Sequence, residues 1–370
     1  MTCNTFKVLN LLFKVFCIIV AASMIGFWII EFEQNEDRSI IEYKNFRSMH
    51  DQIHPEMSIC IANPFLVNKF ETSGSNVSIK DYISYLSGNG SFDQGYVEID
   101  FFNITLNVFD YLKEVWVKKA DNTWTRDYCE LKNGCELVSM KNNFNGLVGG
   151  IVNKCFGIRI KQQFAKTTME IWVEFDIKMK DILSQMRNHA IGKYFHHVSV
   201  EFAYPGQFLR TNFDKKIIWE KQNEEATTEW FTIITIEVLK RRNKINDPCF
   251  EDWLHYDDFV LNKHISSINC KNPYQRQTGS LCNTTSGMLS SRYEADIVRE
   301  KYFPPPCQEI TDVKYKSNKI VNRFNDGLFI SVVYPNRMRL ISQVRSVDAH
   351  TLIGNIGGYI GLFIGTILES

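Results

Sequence analysis

Two long apolar runs frame the chain. Val15 to Ile30 is sixteen residues without a charge, and Leu11, Leu12 and Phe13 extend it across Lys14 to twenty. A helix that crosses the hydrocarbon core needs roughly twenty. The second run, Leu352 to Leu368, is uncharged until Glu369 and carries a glycine ladder. Gly357, Gly361 and Gly365 recur every four residues, and Gly354 with Gly358 form a second pair at that spacing. Inside a soluble helix each glycine costs up to about 1 kcal/mol relative to alanine. Five of them suit a membrane helix whose backbone is closely approached. The pattern predicts transmembrane helices over 11–30 and 351–370. A signal peptide ending near Ala21-Ala22-Ser23 is the competing reading of the first run, and the apolar residues that continue to Ile30 argue against it. Lys7 and Lys14 precede this helix, whereas Glu31, Glu33, Glu36 and Asp37 follow it. A short cytoplasmic N-terminus, 1–10, and an extracellular region, 31–350, are therefore expected.

Between the helices the period changes. Ile171, Val173 and Phe175 alternate with Glu170, Trp172, Glu174 and Asp176 over 169–177, and the size of Trp172 implies burial on both faces for part of the strand. Val198–Ala203, Thr232–Val238 and Leu328–Tyr334 are further strands, the last closed by Pro335-Asn336. A central, largely antiparallel sheet follows, with insertions between its strands. One, 72–150, reads as a lobe with exposed loops. The other, 249–307, reads as helical: Trp253, Tyr256, Val260 and His264 share one helical spacing, and Tyr293, Ile297 and Val298 another. Pro304-Pro305-Pro306 ends that lobe.

Charge adds little, since 42 basic and 42 acidic side chains balance and give no case for nucleic acid. Cysteine adds more. Setting aside Cys3 and Cys17, eight remain in the middle region: Cys60, Cys129, Cys135, Cys155, Cys249, Cys270, Cys282 and Cys307. An even count outside the cytosol reads as four disulfides of undetermined pairing. Glycosylation sequons at Asn76, Asn89, Asn103 and Asn283 agree with that compartment. Catalytic and metal-binding constellations are not found. His196-His197 are adjacent at a strand start and point to opposite faces. His50 and His54 are four apart, but Pro55 disfavours helical geometry at His54. His255 and His264 read as packing or surface residues, and Asp257-Asp258 and Glu224-Glu225 as solvated charge. Acid sensing needs carboxylates that are close in space. The chain reads as a non-enzyme without a cofactor.

Three places resemble the degenerin/epithelial sodium channel/acid-sensing ion channel superfamily. His54-Pro55-Glu56-Met57-Ser58-Ile59-Cys60, followed by Asn63-Pro64-Phe65, is similar to that family's post-membrane FPAVTVCN strand. Cys249, Asp252-Trp253, Cys270, Pro273-Tyr274, Cys282 and Pro306-Cys307 resemble its helical thumb. Leu352 to Gly365, LIGNIGGYIGLFIG, resembles the second-membrane-helix signature LLGDIGGQMGLFIGAS. The resemblance implies two transmembrane helices flanking a large α+β disulfide-rich extracellular domain of palm, finger and thumb type, assembled as a homotrimer or a heterotrimer with related subunits. It implies pairings Cys60–Cys155, Cys129–Cys135, Cys249–Cys307 and Cys270–Cys282. It also implies that the second helices line a sodium-selective, amiloride-sensitive pore in the plasma membrane, with sodium as the permeant ion and an unspecified extracellular ligand or proton as stimulus.

On the pore helix, Gly354, Asn355, Gly357, Gly358 and Gly361 take packing and gating positions, and Gly365, Thr366 and Ile367 stand at selectivity positions. Asn355 replaces a residue often acidic in the family, and Gly365-Thr366-Ile367 lacks the serine of its Gly-X-Ser motif. The family's cytoplasmic His-Gly motif before the first helix is also absent. Seventeen residues from Leu352 to Leu368 give roughly 25 Å of helix against a core near 30 Å, so a truncated pore helix is expected. The alternatives to a conducting subunit are a non-conducting or modulatory subunit and a membrane-tethered binding glycoprotein. Purinergic receptors share the two-helix, cysteine-rich plan, but their lysine-rich nucleotide site has no match here.

Overall fold

Residues 2–10 contain neither proline nor glycine, so nothing stops the first apolar helix from extending through them. In the computed structural model the helix runs Thr2–Gln34, longer at both ends than the apolar run. The structure describes residues 2–34, 36–45, 55–73, 77–86, 94–96, 98–127, 135–148, 151–165, 167–176, 197–204, 206–207, 216–220, 228–291, 304–321 and 328–369. Two units divide it: Met1–Ile41 with Ile341–Ser370, and Glu42–Leu340. The strands are β1 (Asp37–Asn45), β2 (Glu56–Ala62), β3 (Leu112–Lys119), β4 (Trp124–Asp127), β5 (Val138–Val148), β6 (Ile151–Ile160), β7 (Thr168–Phe175), β8 (His197–Ala203), β9 (Lys216–Glu220), β10 (Thr228–Lys240), β11 (Gln308–Val321), β12 (Leu328–Val333) and β13 (Arg337–Arg345).

The first unit is a helix pair. Leu9, Leu12, Phe16, Ile19 and Ile30 of the N-terminal helix all stand exposed, and Val8–Gln34 is long and apolar enough to cross a membrane. Among the described residues it is the one helix that is, where the sequence led us to expect two. The glycine-ladder run forms a helix, Ala349–Glu369, but its described side chains end at Gly365, short of a full apolar span. The two helices pack on each other. Arg345 donates to the Phe32 carbonyl, and its guanidinium lies 3.5 Å from the Phe32 ring centroid. Ser346 N–H donates to the Glu36 carbonyl at 2.8 Å. The start of the second helix is thereby tied to the end of the first, and the two run antiparallel. Asp348 caps the second helix by accepting from Thr351 N–H at 2.7 Å. Hydrogen bonds from Thr351 hold the Asp348 carboxyl below its usual range.

The second unit holds two sheets. In the larger, strands run in the order β10-β12-β7-β3-β4, with β11 also against β10. The β10–β12 pair is parallel, while β10–β11, β12–β7, β7–β3 and β3–β4 are antiparallel. The smaller sheet is β5-β6-β2-β8-β9. Period-two alternation puts Val115, Val117, Ile171, Val173, Ile330 and Val332 on the inner face of the first sheet. Met57, Ile59, Ile61, Phe156, Ile158, Val198 and Val200 fill that of the second, and together they form one core. Each such side chain contributes about 1.5–3 kcal/mol by leaving water.

The span 72–150 contributes strands to both sheets. Its β3 and β4 are strands of the larger sheet, and its β5 is a strand of the smaller. The reason lies in Val115 and Val117, whose inward alternation needs the same core as β7. An aromatic cluster of Phe65, Phe70, Tyr82, Tyr85, Tyr96, Phe101 and Tyr274 packs the helical segments of that span against the loop near Cys282. In 249–307, helices form at Tyr256–Ile268 and Thr285–Ser291. Asn269 ends the first in a left-handed conformation, φ 64°. Tyr293, Ile297 and Val298 lie outside the described residues.

Candidate functional site

Two places gather residues able to do more than pack. The first is the glycine ladder. A Cβ added at Gly354, Gly357, Gly358, Gly361 or Gly365 would meet nothing within 4 Å. Asn355 is half-buried. Thr366 and Ile367 lie within the helix, and their side chains fall outside the described residues.

The second place is the outer face of the larger sheet, which the sequence did not single out. Because β3 and β7 pair antiparallel, Glu114 faces Glu174, Trp116 faces Trp172 and Lys118 faces Glu170. Strand β4 adds Arg126 beside Trp116 and Trp124 beside Lys118, and β12 adds Ser331 beside Trp172. An aromatic row results across four strands. Ring centroids are 6.5 Å apart for Trp116–Trp172, 6.3 Å for Trp124–Trp172 and 5.7 Å for Trp172–Phe329. Lys118 Nζ and the Arg126 guanidinium each sit 5.5 Å from an indole centroid, Trp124 and Trp116 respectively. Charged rows flank the aromatic one. Arg126 pairs with Glu114 and Lys113 with Glu174. On the other side Glu170 accepts from Ser331 Oγ at 2.7 Å, with Lys118 3.9 Å away.

The two glutamates are buried and hydrogen-bond to each other. Burial, the hydrogen bond with Glu114 and that residue's charge push the Glu174 carboxyl up against the opposing pull of Lys113. Burial also works against ionised Glu114. Hydrogen bonds from Trp116 and Glu174, with the charges of Arg126 and Lys113, outweigh it and hold this carboxyl low. Like charges in contact cannot both ionise cheaply, and the two carboxyls are pushed in opposite directions.

The cysteines are in disulfides Cys60–Cys155, Cys249–Cys307 and Cys270–Cys282. Cys135 is also disulfide-bonded, and Cys129 lies outside the described residues. Cys60, Cys155 and Glu201 converge closely enough to ligate a metal, but both sulfurs are spent in a disulfide. Asn103 and Asn283 are exposed, whereas Asn76 and Asn89 fall outside the described residues. So do His50, His54, His196, Glu224 and Glu225. His255 Nδ1 bonds to Asp252 at 2.9 Å on the surface, and burial lowers the pKa of His264. Asp257 and Asp258 occupy the first turn of Tyr256–Ile268, where carboxylates complement the helix dipole.

No family model matches the chain, and no curated protein matches it. Among solved structures it is similar to a proton-activated chloride channel determined by cryo-electron microscopy, at 8% sequence identity and a TM-score of 0.30, with 99% of this chain and 96% of that chain covered.

Proposed function

We propose that the chain is a two-pass plasma-membrane subunit of an oligomeric, sodium-selective cation channel, with helix Ala349–Glu369 at the pore. The observation that carries this reading is the open glycine face. Five helical glycines are costly, and in a single chain none of them accommodates a neighbour. Copies of the same helix meeting around an axis give those positions a purpose, because small residues let backbones converge and expose carbonyls to an ion. Related subunits in a trimer, with lipid around the N-terminal helix, complete the proposed assembly. The raised pKa of Glu174 gives the sheet a carboxyl through which acidification can bias it. Voltage-clamp recording of the expressed chain tests this. A sodium current, amiloride-sensitive and altered by external acidification, is expected. Its absence, both alone and with related subunits, overturns the channel reading.

The aromatic row favours a second reading, a membrane-tethered binding glycoprotein that uses Trp124, Trp116 and Trp172 as a recognition face. That reading requires a monomer. Crosslinking in native membranes separates the two, since a trimer excludes the tethered monomer.

A further inference from the structure

Alternation along β6 places Val152, Lys154, Phe156, Ile158 and Ile160 on one face. Four of these are buried and apolar; the fifth is a lysine only 3% exposed. Ile61 faces it on β2 and Asn145 on β5. Its ammonium bonds to Thr105, which follows Ile104 of the second core cluster, while Phe156 on its own strand belongs to the first. A charge at such a core position is costly unless it is paired.

The pairing it has is thin. Lys154 Nζ donates to Thr105 Oγ1 at 2.9 Å and lies 5.5 Å from the Phe156 ring centroid. Thr105 Oγ1 spends its own proton on the Phe101 carbonyl at 2.7 Å. An ammonium carries three donors, so among the described residues two are unused. The charged side chains that act on it are Arg276, Asp110, Lys69 and Asp100. Neither carboxylate is an ion-pair partner: Asp100 accepts from Phe102 N–H at 3.0 Å, and Asp110 from Asn107 Nδ2 at 2.8 Å. Lys69 and Arg276 are exposed and bring cations rather than a counter-ion. Burial first, then repulsion by Arg276, pushes the Lys154 ammonium down to about 8.

We propose that Lys154, with Arg276 and Lys69 on its solvent side, binds a small monovalent inorganic anion of halide size. A halide makes no directional demand and can take the two unused donors of one ammonium. It also supplies the counter-charge that Asp100 and Asp110 do not. The exposed cations draw it in, and the buried one holds it. This site is independent of ion conduction, because binding is read from stability alone.

The test is thermal unfolding of the full chain in detergent, titrated with sodium chloride against sodium gluconate at fixed ionic strength, at pH 6.5 and pH 9. At pH 6.5 chloride raises the midpoint saturably and gluconate does not; at pH 9, with Lys154 neutral, the difference disappears. Lys154→Met removes the chloride effect. Arg276→Gln, an exposed change that leaves the core intact, raises the half-saturating chloride concentration on the order of 10-fold. Equal responses to chloride and gluconate in the wild type overturn the site. So does a chloride response unchanged by pH and by Arg276→Gln, which decides the matter even if Lys154→Met fails to fold.

Discussion

Disulfide removal gives the sharpest test of how the unit Glu42–Leu340 is held. Loop-closure entropy depends on the chain length each bridge closes, and the three bridges close very different lengths. Sequence separations of 95, 58 and 12 residues for Cys60–Cys155, Cys249–Cys307 and Cys270–Cys282 correspond to about 4.7, 4.2 and 2.8 kcal/mol. The shortest loop nests inside the middle one and shortens its effective length to about 47 residues, which trims the middle value by only about 0.2 kcal/mol. Paired Cys→Ser variants of each bridge, unfolded in urea and followed by tryptophan fluorescence, should therefore lose stability in that order. Cys60–Cys155 should fall furthest, because both sulfurs are also buried in the core and serines there add a packing loss. Removal of Cys270–Cys282 that costs as much as removal of Cys249–Cys307 would refute the loop-length reasoning and place the stabilisation in local contacts.

Three further expectations bear on the sites. Glu174 has a folded pKa raised above its ordinary 4.5, so its contribution is present below that value and lost as pH rises through the folded pKa. Glu174→Gln should thus unfold at a less pH-dependent temperature than wild type as pH rises above 4.5, with its relative advantage growing with pH; parallel curves would contradict a raised Glu174 pKa. Asp127 is buried and accepts from the backbone N–H groups of Glu136, Leu137 and Val138 at 2.7, 2.7 and 3.1 Å, so Asp127→Ala should cost about 2–4 kcal/mol in denaturant titration. A Cβ at Gly361 meets nothing within 4 Å; the single chain of Gly361→Ala should fold with unchanged or slightly greater helicity by circular dichroism, while the crosslinked oligomer should decline.

Alternation read well wherever a strand exposes one face. Ile171, Val173 and Phe175 are in the core as the sequence requires, and Glu174 on the other face is buried too, as expected of a strand covered on both sides. Strand β3 was harder to read. Lys113, Glu114, Lys118 and Lys119 make it look like a charged loop, and only two valines mark its inner face. The carboxyl pair was illegible for a related reason. Glu114 and Glu174 meet through register, and an irregularity between Leu112 and Glu114 sets that register. No local pattern announces a bulge partnered sixty residues away. The even cysteine count indicated disulfides, and one pairing follows from the sheet: Cys60 and Cys155 face each other on β2 and β6.

Both polar sites arise where the period-two pattern breaks its chemistry beside an irregularity in strand pairing. On β6, next to the shift opposite Asn142 and Phe144, the apolar face receives an ammonium. On β3 and β7 the outer face is the right place for charge, yet Glu114 and Glu174 are set side by side under Trp116 and Trp172 and lose their water. In each case the cost is confined to one or two side chains and can be relieved by a proton or an ion. A fold that only needed stability would place valine at 154 and oppose Glu174 with lysine, at a gain in stability. The less stable choice at both positions marks groups that respond to the surrounding medium.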